Sequence, residues 1–386
     1  MQAATGEQPL KGLRVLELAR ILAGPWAGQL LADLGADVIK VESPKGDDTR
    51  QWGPPFVERA NGEKSAAYFH GCNRGKRSIV VDLSSGEGQE TIKRLAKGAD
   101  VLIENFKLDG LKKYDLDYHS LSAVNPRLVY CSITGFGQTG PYASRPGYDL
   151  IIQAMSGIMD LTGEPDGPPQ KMGVAFADIF TGLYSAIAIQ AALAERERSG
   201  LGQWIDMALF DAMLGVLANQ GMNYLISGAS PARLGNAHPN IAPYQVFQAK
   251  DRWFVLAVGN DQQFKRFCNV VDLPSLPDRP EFATNPARVA NREALTSIIQ
   301  NATIEWECAA LLSRLEDASV PAAPINSVEM ALNDAQARAR SMVRDYSAPD
   351  QGGAIPGLRA PIRFSRSRTD SERASPPLGG DDPDWR

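Results

Sequence analysis

The sequence predicts an α/β fold, in which an open parallel sheet forms a large domain and a smaller α+β domain follows. Two observations predict it. Short apolar strands alternate with segments of helical periodicity through the first half of the chain, and a second group of strands and helices follows a stretch rich in glycine and proline. Strand, glycine turn, helix and strand is the repeating unit of a Rossmann-like sheet. A chain of 386 residues is long enough for both domains.

The first such unit begins near the N-terminus. Residues 13–18 form a short apolar strand, residues 24–34 carry apolar side chains at helical spacing, and residues 36–41 form a second strand. Further strands are predicted at 77–83, 100–103 and 128–132, with a helix at 86–99. Because ligands gather where the strands of such a sheet end, we expect the functional residues in the loops that follow them.

The rest of the chain continues with helices and a second group of strands. Helices are predicted at 151–159, 179–196, 210–225, 261–271, 292–302, 304–315 and 327–342, and strands at 203–209 and 253–258. The predicted domain ranges are 1–205 for the first part of the large domain, 206–228 for a helical linker, 229–325 for the small domain, and 326–386 for a linker and a C-terminal return to the large domain.

Composition argues against several classes of function. A net charge of −5 lacks the basic surplus of a nucleic-acid-binding protein. The four cysteines form no CxxC pair and the three histidines share no motif, so neither a disulfide framework nor a metal site is expected. The N-terminus lacks the pattern of an export signal, and no apolar run reaches the ~18 residues of a membrane span. We therefore expect a cytoplasmic protein with no nucleic-acid or membrane partner.

The first glycine turn invites a nicotinamide interpretation. Glu42 ends the second strand about where an acid would hold a ribose. The turn reads AGPWAG instead of GxGxxG, however, and Pro25 and Trp26 stand where the backbone should approach a pyrophosphate. The sequence therefore gives only weak support to a nicotinamide-dependent dehydrogenase, and we expect this strand–helix–strand unit to have a structural role.

Asp178 is the candidate nucleophile or base. It lies in the segment GVAFADIFTGLY, at the start of a long apolar stretch that contains almost no other charge. Unpaired amides at the beginning of a helix favour the ionised form of a nearby acid. The alternative is that Asp178 only caps the helix.

Basic and glycine-rich loops are candidate binding sites. Residues 73–77 place three cations before a strand, which suits the phosphates of a nucleotide-bearing cofactor or a plain solvated surface. Phe106, in a loop after a strand, could stack on a purine, and Lys107 or Lys113 could contact phosphate. The glycine-dense loop at 132–141 exposes amides, and Tyr148 adds a hydroxyl donor nearby. Each of these loops could equally be an ordinary connection.

Taken together, these segments resemble the family III CoA-transferases, the CaiB/BaiF group. The resemblance extends over residues 10–379 and is carried, in order, by LARILAGPWAGQLLADLGADVIKVE, GDDTRQWGPPF, NRGKRSIVVDL, IENF, YCSITGFGQTGP, PGYD, the Asp178 segment, PYQVF and VGNDQQF. Several of these elements look most like the branch of the family that uses succinyl-CoA and glutarate or hydroxymethylglutarate. An α/β homodimer built as two interlocked rings is the architecture that the resemblance implies.

The resemblance also implies roles for individual residues. Asp178 stands at the position of the family's nucleophile. The residues implied to contact CoA or the thioester are Asn105, Phe106, Lys113, Val81, Lys76, Tyr148, Gly147 and Asp149. Acyl-CoA and small carboxylic acids are the implied substrates, with no permanently bound cofactor. Where the family often has Arg-Pro-Gly after the Asn-Phe pair, this chain has KLD, which leaves the phosphate contacts open.

Three further residues are candidates for binding the acid substrate. Gly259 lies where related oxalate–formate enzymes carry a four-glycine loop, so a stiffer lid is expected here. Because a dicarboxylate needs a cation for its distal carboxylate, we also expect Arg20 and Arg50 to contact it.

Two alternatives stay open within this resemblance. An α-methylacyl-CoA racemase would need a histidine in the place of Tyr148, because a tyrosine of pKa ~10 is a poor base at neutral pH. A non-catalytic CoA-binding protein would keep all of its function when Asp178 is replaced by alanine.

Overall fold

The computed structural model describes residues 6–58, 62–348, 353–369 and 371–385. By their packing, these residues divide into two units. The first contains the described residues up to Ile158, Lys171–Gly228, and those from Ala335 onward, and the second contains Met159–Gln170 and Ala229–Asp334. The domain ranges predicted from the sequence stay a prediction.

A six-stranded parallel sheet forms the centre of the first unit. The strands of this unit are β1 (Arg14–Glu17), β2 (Asp37–Glu42), β3 (Phe56–Glu58), β4 (Lys64–Ala66), β5 (Arg77–Val80), β6 (Val101–Glu104), β7 (Val129–Thr134) and β8 (Trp204–Ala208). The large sheet has the order β5-β2-β1-β6-β7-β8 with every pair parallel. Counted along the chain this is the 3-2-1-4-5-6 order of doubly wound sheets, so the predicted open parallel sheet is confirmed.

The helices follow the predicted alternation through the first half of the chain. In chain order they are α1 (Ala23–Asp33), α2 (Ala67–His70), α3 (Gly86–Gly98), α4 (Tyr118–Val124), α5 (Asp149–Met155), α6 (Ile158–Leu161), α7 (Phe176–Ser199), α8 (Leu209–Gly215), α9 (Ala218–Ser227), α10 (Asp261–Val270), α11 (Asn285–Ala290), α12 (Arg292–Thr303), α13 (Cys308–Asp317), α14 (Val328–Leu332) and α15 (Ala335–Ala339). Three predicted helices are interrupted. The segment at 151–159 breaks between α5 and α6, where Gly157 has a φ of 87°. The segment at 210–225 breaks between α8 and α9, where Ala218 has a φ of 48°, and the segment at 327–342 is two short helices.

Apolar side chains cover both faces of the large sheet, as buried parallel strands require. Val15 of β1 lies in the cluster that contains the buried residues of α1 and α7, whereas Leu16 lies in the cluster on the side of α3. Gly182 allows α7 to approach α1, because a Cβ there would lie 2.7 Å from the carbonyl oxygen of Ala23. The two helices therefore pack tightly over the strands that lead to the site.

Helix α7 is long and apolar enough to cross a membrane by length and composition, with a mean hydropathy of 1.4 in its most apolar window. The expectation that no segment reaches these limits is therefore wrong for α7. Core helices of soluble proteins pass the same test, so the finding is weak by itself.

Four ionised side chains lie buried beneath the turn between β1 and α1, and we call them the ion cluster. The Nζ of Lys76 lies 2.8 Å from the carboxylate of Glu17, and the Nζ of Lys40 lies 3.2 Å from Glu17 and 2.9 Å from Asp47. All four are at most 2% exposed. Two cations balance two carboxylates, so the cluster is neutral only as a whole. Removing one member of a buried pair leaves an uncompensated charge, which costs about 3–5 kcal/mol.

The C-terminal segment covers the edge of the large sheet at β5. The carboxylate of Asp381 accepts the Ser78 amide at 3.1 Å, and Arg77 donates to the carbonyl oxygen of Asp384 at 2.7 Å. The indole of Trp385 donates to the Leu95 carbonyl at 3.0 Å. An edge strand presents unpaired backbone groups that can pair with another chain, and this segment shields them. Upstream of it, β12 (Val343–Ala348) and β13 (Gly353–Leu358) form an antiparallel pair.

The second unit contains a small antiparallel sheet of three strands. The strands are β9 (Tyr244–Gln248), β10 (Trp253–Ala257) and β11 (Ala322–Pro324), in the order β11-β10-β9. Its core packs aromatic residues of the sheet, Phe247 and Phe254, with Phe264 and Phe267 of α10. The sequence predicted β10 but neither of its partners.

Gly28 tests how strictly the ion cluster limits the packing of α1. An alanine Cβ at this position would overlap the Glu17 carboxylate, which the two lysines hold in place. We expect Gly28→Ala to lower the free energy of unfolding by about 2 kcal/mol or more. Gly86→Ala is the matched control, because its Cβ would meet open space at the start of α3. Urea unfolding of both variants measures the difference, and equal midpoints would contradict the prediction.

Candidate active site

The loops after β1 and β6 meet where the strand order of the large sheet reverses. The Asn105 side chain joins them, since its Oδ1 accepts the Arg20 amide at 3.0 Å and its Nδ2 donates to the Arg20 carbonyl at 2.7 Å. We call this pair of bonds the Asn105 clasp. Ile21, with a φ of 72°, follows it and donates its amide to Asp47 at 3.2 Å. The clasp and the ion cluster together fix the loop that borders the site.

A cavity of about 430 Å³ opens at this edge of the sheet. Eight of the twelve residues predicted to form the site line it, and they are Arg20, Asn105, Phe106, Lys113, Gly147, Tyr148, Asp149 and Asp178. They come from the segments that follow β1, β6 and β7 and from the first turns of α5 and α7. The fold thus brings the predicted nucleophile and most of the predicted CoA contacts into one cavity.

Asp149, not Asp178, binds the amides at the beginning of α7. Its Oδ1 accepts the Ala177 amide at 2.8 Å and the Asp178 amide at 3.4 Å, while Gln153 donates to its Oδ2 at 2.6 Å. Ala175, the residue that precedes α7, provides no side-chain cap. The alternative in which Asp178 only caps its helix is therefore not what the structure shows.

The pKa of Asp178 reflects this arrangement. Burial and, to a smaller extent, the negative charge of Asp149 raise the pKa of Asp178 to about 7. The expectation that helix amides would favour its ionised form is wrong here, because Asp149 accepts those amides itself. The charge of Asp178 also helps burial to raise the pKa of Tyr68 to about 12. A carboxyl that titrates near neutrality is a strong base and nucleophile in its ionised form.

Close backbone contact places Tyr148 at the cavity. A Cβ on Gly147 would overlap the Cα of Gly135, so only glycine fits at the point where the two loops cross. Gly135 is itself fixed, since its carbonyl accepts the Phe210 amide at 3.0 Å. Tyr148 follows, with 64% of its surface exposed and its hydroxyl available to a bound molecule.

Sequence reasoning missed several residues of the cavity. Trp52 and Asp48 line it, and Asp48 forms an ion pair of 2.9 Å with Arg20. Arg145 also lines it, with its guanidinium 3.9 Å from the centre of the Tyr142 ring. Signals for them were present, because Trp52 belongs to the GDDTRQWGPPF motif and Arg145 directly precedes PGYD.

Four predicted site residues lie elsewhere. Lys76 belongs to the ion cluster, and the buried guanidinium of Arg50 bonds Glu42 at 2.6 Å. Val81 lines a neighbouring cavity of about 240 Å³, which also touches Arg20 and Phe106. Gly259 belongs to the second unit, where its amide donates to Gln263 at 2.8 Å. The binding roles of these four residues stay predictions.

Across the part of the chain that the structure describes, no group of three or more histidine, cysteine, aspartate and glutamate side chains is arranged to hold a metal ion.

Comparisons with known proteins show the family of this chain. The profile of CoA-transferase family III matches residues 10–382. The succinate–glutarate CoA-transferase of Agrobacterium fabrum is 60% identical over 373 residues, which cover 96% of this chain and 93% of that protein. The human succinyl-CoA:glutarate CoA-transferase is 40% identical over 374 residues, which cover 96% of this chain and 84% of that protein.

Solved structures show the same fold. A CaiB/BaiF family protein from Brucella suis is 61% identical, with a TM-score of 0.87 and coverage of 97% of both chains. Rv3272 from Mycobacterium tuberculosis is 29% identical, with a TM-score of 0.84 and coverage of 97% of this chain and 98% of that one. The chain therefore belongs to CoA-transferase family III and is a CoA-transferase.

Proposed function

We propose that this enzyme moves CoA from succinyl-CoA to glutarate or a similar dicarboxylic acid, with Asp178 as the nucleophile. The observation that carries the proposal is the partly buried Asp178 carboxyl, with its pKa raised to about 7, in the cavity that the Asn105 clasp borders. The names of two relatives, at 60% and 40% identity, support the choice of substrates.

In the first half of the reaction, the Asp178 carboxylate attacks the thioester carbonyl of succinyl-CoA. The C–S bond breaks, and a mixed anhydride and the CoA thiolate form. The thiolate then attacks the aspartyl carbonyl, which releases succinate and leaves an aspartyl-CoA thioester. Dividing one difficult exchange into such steps lowers each barrier.

In the second half, the acceptor carboxylate attacks the aspartyl thioester and displaces the thiolate. The thiolate then attacks the acceptor's carbonyl in the new anhydride, which releases the product thioester and restores Asp178. One thioester replaces another, so the exchange needs neither ATP nor a permanently bound cofactor. The anhydrides must be kept from water, which fits a nucleophile that is partly buried in a cavity.

Asp149 and Tyr148 have supporting roles in this proposal. Asp149 fixes the first turn of α7 and, by its charge, makes Asp178 more basic. Tyr148 is placed to donate its hydroxyl to an oxyanion as charge develops on the thioester carbonyl. A tyrosine at this position favours the transferase over the racemase alternative, which needs a base there.

Arg20 is our candidate for binding the distal carboxylate of a dicarboxylate. It lines the Asp178 cavity, and its ion pair with Asp48 leaves 63% of its side chain exposed. Arg50 was the second candidate, but its pair with Glu42 would have to open before it could bind a substrate.

We further propose that the enzyme is a cytoplasmic homodimer. Helix α7 exposes Leu183, Tyr184 and Ile187, at 39%, 41% and 64% of their surfaces. These side chains lie on neighbouring turns of one helix, and contiguous exposed apolar surface is typical of an interface. Sedimentation or light scattering at micromolar concentration tests the proposal.

The nucleophile can be tested by chemical trapping. Incubation with succinyl-CoA and hydroxylamine should convert Asp178 to its hydroxamate, and peptide mass spectrometry should locate the modification there. Asp178→Asn should lose both the modification and the transferase activity. Asp115→Asn is the control, because Asp115 is exposed in a left-handed turn that asparagine tolerates. A modified Asp178→Asn enzyme would contradict the assignment.

The pH dependence of kcat/KM follows from the raised pKa of Asp178. The nucleophile is the ionised form, so activity should be full above about pH 7 and should fall by roughly tenfold per pH unit well below it. Asp149→Asn keeps an acceptor for the Ala177 amide but removes the charge, so the midpoint should move to lower pH. An unchanged midpoint in this variant would contradict the electrostatic role of Asp149.

Acceptor preference tests Arg20. We expect Arg20→Leu to lower kcat/KM for glutarate by about tenfold or more while leaving butyrate nearly unaffected, since only glutarate has a second carboxylate to pair. Arg50→Leu should instead destabilise the fold, because it leaves Glu42 buried without its cation. An Arg20→Leu enzyme with an unchanged ratio of the two rates would contradict the role of Arg20.

A further inference from the structure

Glu104 is a buried acid that the proposed chemistry does not use. It ends β6, is 6% exposed, and among the described residues forms no ion pair with a lysine, arginine or histidine. Its Oε2 accepts the Phe106 amide at 2.8 Å, and the Ser132 hydroxyl also donates to its carboxylate. The indole nitrogen of Trp204 in turn donates to the Ser132 hydroxyl oxygen at 2.9 Å.

These bonds connect the sheet to the active-site cavity. The Phe106 amide belongs to the turn that carries Asn105, and the Asn105 clasp holds the Arg20 backbone by two further bonds. Arg20, Asn105 and Phe106 all line the cavity that contains Asp178. The carboxylate of Glu104 therefore anchors one side of this cavity without reaching into it.

Stability does not explain an ionised carboxylate at this position. Burial raises the pKa of Glu104 to about 7, with no cation to offset it. An acid whose pKa is higher in the folded than in the unfolded state favours folding at low pH and loses that contribution as the pH rises through the folded value. Above about pH 7, ionised Glu104 thus makes the fold less stable than a neutral side chain would.

We propose that Glu104 is a positioning residue for acyl-CoA binding. Its carboxylate accepts the Phe106 amide and the Ser132 hydroxyl and so keeps the Asn105–Phe106 turn and the Asn105 clasp in the conformation that binds acyl-CoA. The inference rests on the proposed function only in taking the Asp178 cavity as the site where acyl-CoA binds.

The hydrogen-bond network fits the ionised acid and not the neutral one. Three donors, from Trp204, Ser132 and Phe106, already point at the acceptors of Ser132 and Glu104. Protonation of Glu104 adds a fourth donor and removes one acceptor, so the network has to rearrange. Glutamine at this position carries the same extra donor and is therefore a mimic of the protonated acid at every pH.

Other titratable groups lie near Glu104, and every variant protein in the test retains them. The charge of Glu104 acts on Tyr130 and Cys131 of β7, and Asp206 on β8 pairs in register with Ser132. A cavity of about 180 Å³ against the carboxyl is lined by further charged or titratable groups, namely Lys107, Asp109, Lys112, Asp117, Tyr118 and His119.

Binding of CoA to a catalytically silent enzyme tests the proposal. The parent is Asp178→Asn, which removes the titration of the nucleophile, and its partner carries Glu104→Gln as well. Calorimetry then gives the Kd for CoA between pH 5.5 and 8.5. We expect Glu104→Gln to weaken CoA binding roughly tenfold at pH 8, the effect of a lost charge-assisted hydrogen bond, and to have little effect at pH 5.5. The 3′-phosphate of CoA also titrates, with a pKa of about 6, but its contribution to the pH dependence of binding is the same for both proteins.

Two further variants make the test specific. Ser132→Ala removes a hydrogen bond that lowers the pKa of Glu104, so the midpoint of the pH-dependent affinity should move to higher pH. Glu90→Gln, in which an exposed acid of α3 is neutralised, should leave the affinity unchanged. Urea midpoints at pH 8 should be equal or higher in Glu104→Gln than in the parent, because the buried charge is gone.

The possible failures can be told apart. Equal Kd values at pH 8 with and without Glu104→Gln would overturn the positioning role, and so would an affinity that falls together with the urea midpoint. Absence of CoA binding in the Asp178→Asn parent would overturn the proposed CoA site itself, and with it this inference. A normal hydroxamate on Asp178 in an enzyme that carries Glu104→Gln alone, together with a Kd that Glu104→Gln does not alter in the Asp178→Asn background, would leave the proposed function standing and Glu104 without this role.

Discussion

Charge balance beneath the turn between β1 and α1 is the constraint on which the active-site edge depends. Glu17 lies between two lysines, and Lys40 bonds the carbonyl of Ala19 at 2.8 Å while Lys76 bonds that of Pro25 at 2.8 Å. The cluster thus binds the backbone on both sides of the turn. Since the charges are neutral only together, the turn cannot shift without separating ions in a medium of low dielectric constant.

The cost of burying a charge without a partner has the opposite consequence at the nucleophile. In the ion cluster each buried carboxylate is paired with a lysine, whereas Asp178 forms no ion pair among the described residues and has the carboxylate of Asp149 nearby. Pairing keeps an acid ionised and inert, and the lack of a cation keeps it basic. At Asp149, by contrast, a helix amide and the Gln153 side chain bind the two carboxylate oxygens. The fold thereby gives different surroundings to two acids in the first turns of α5 and α7.

Much of this arrangement could be predicted from the sequence, for identifiable reasons. The strands of the large sheet and Asp178 follow from local periodicity and from motifs, which are properties of short segments. The partners of Arg50 and Lys76 depend on contacts between residues far apart in the chain, such as Glu17 with Lys76. The basic side chain of Lys76 suggested CoA binding and that of Arg50 suggested dicarboxylate binding, and only the fold shows that each is paired with a buried acid. Asp149 was placed near the thioester, but its hold on the α7 amides could not be read from spacing.

The covered edge of the large sheet has a consequence for biosynthesis. Strand β5 lies in the first quarter of the sequence, but the groups that shield its edge belong to residues 371–385, roughly three hundred residues later. Arg50, too, bonds the carbonyl of Pro376 at 3.2 Å. While the ribosome is still making the intervening segments, the nascent sheet has an open side on which another chain could pair. Chaperone protection during synthesis therefore matters at β5, and a tag fused C-terminal to residues 371–385 has to leave that segment free to dock.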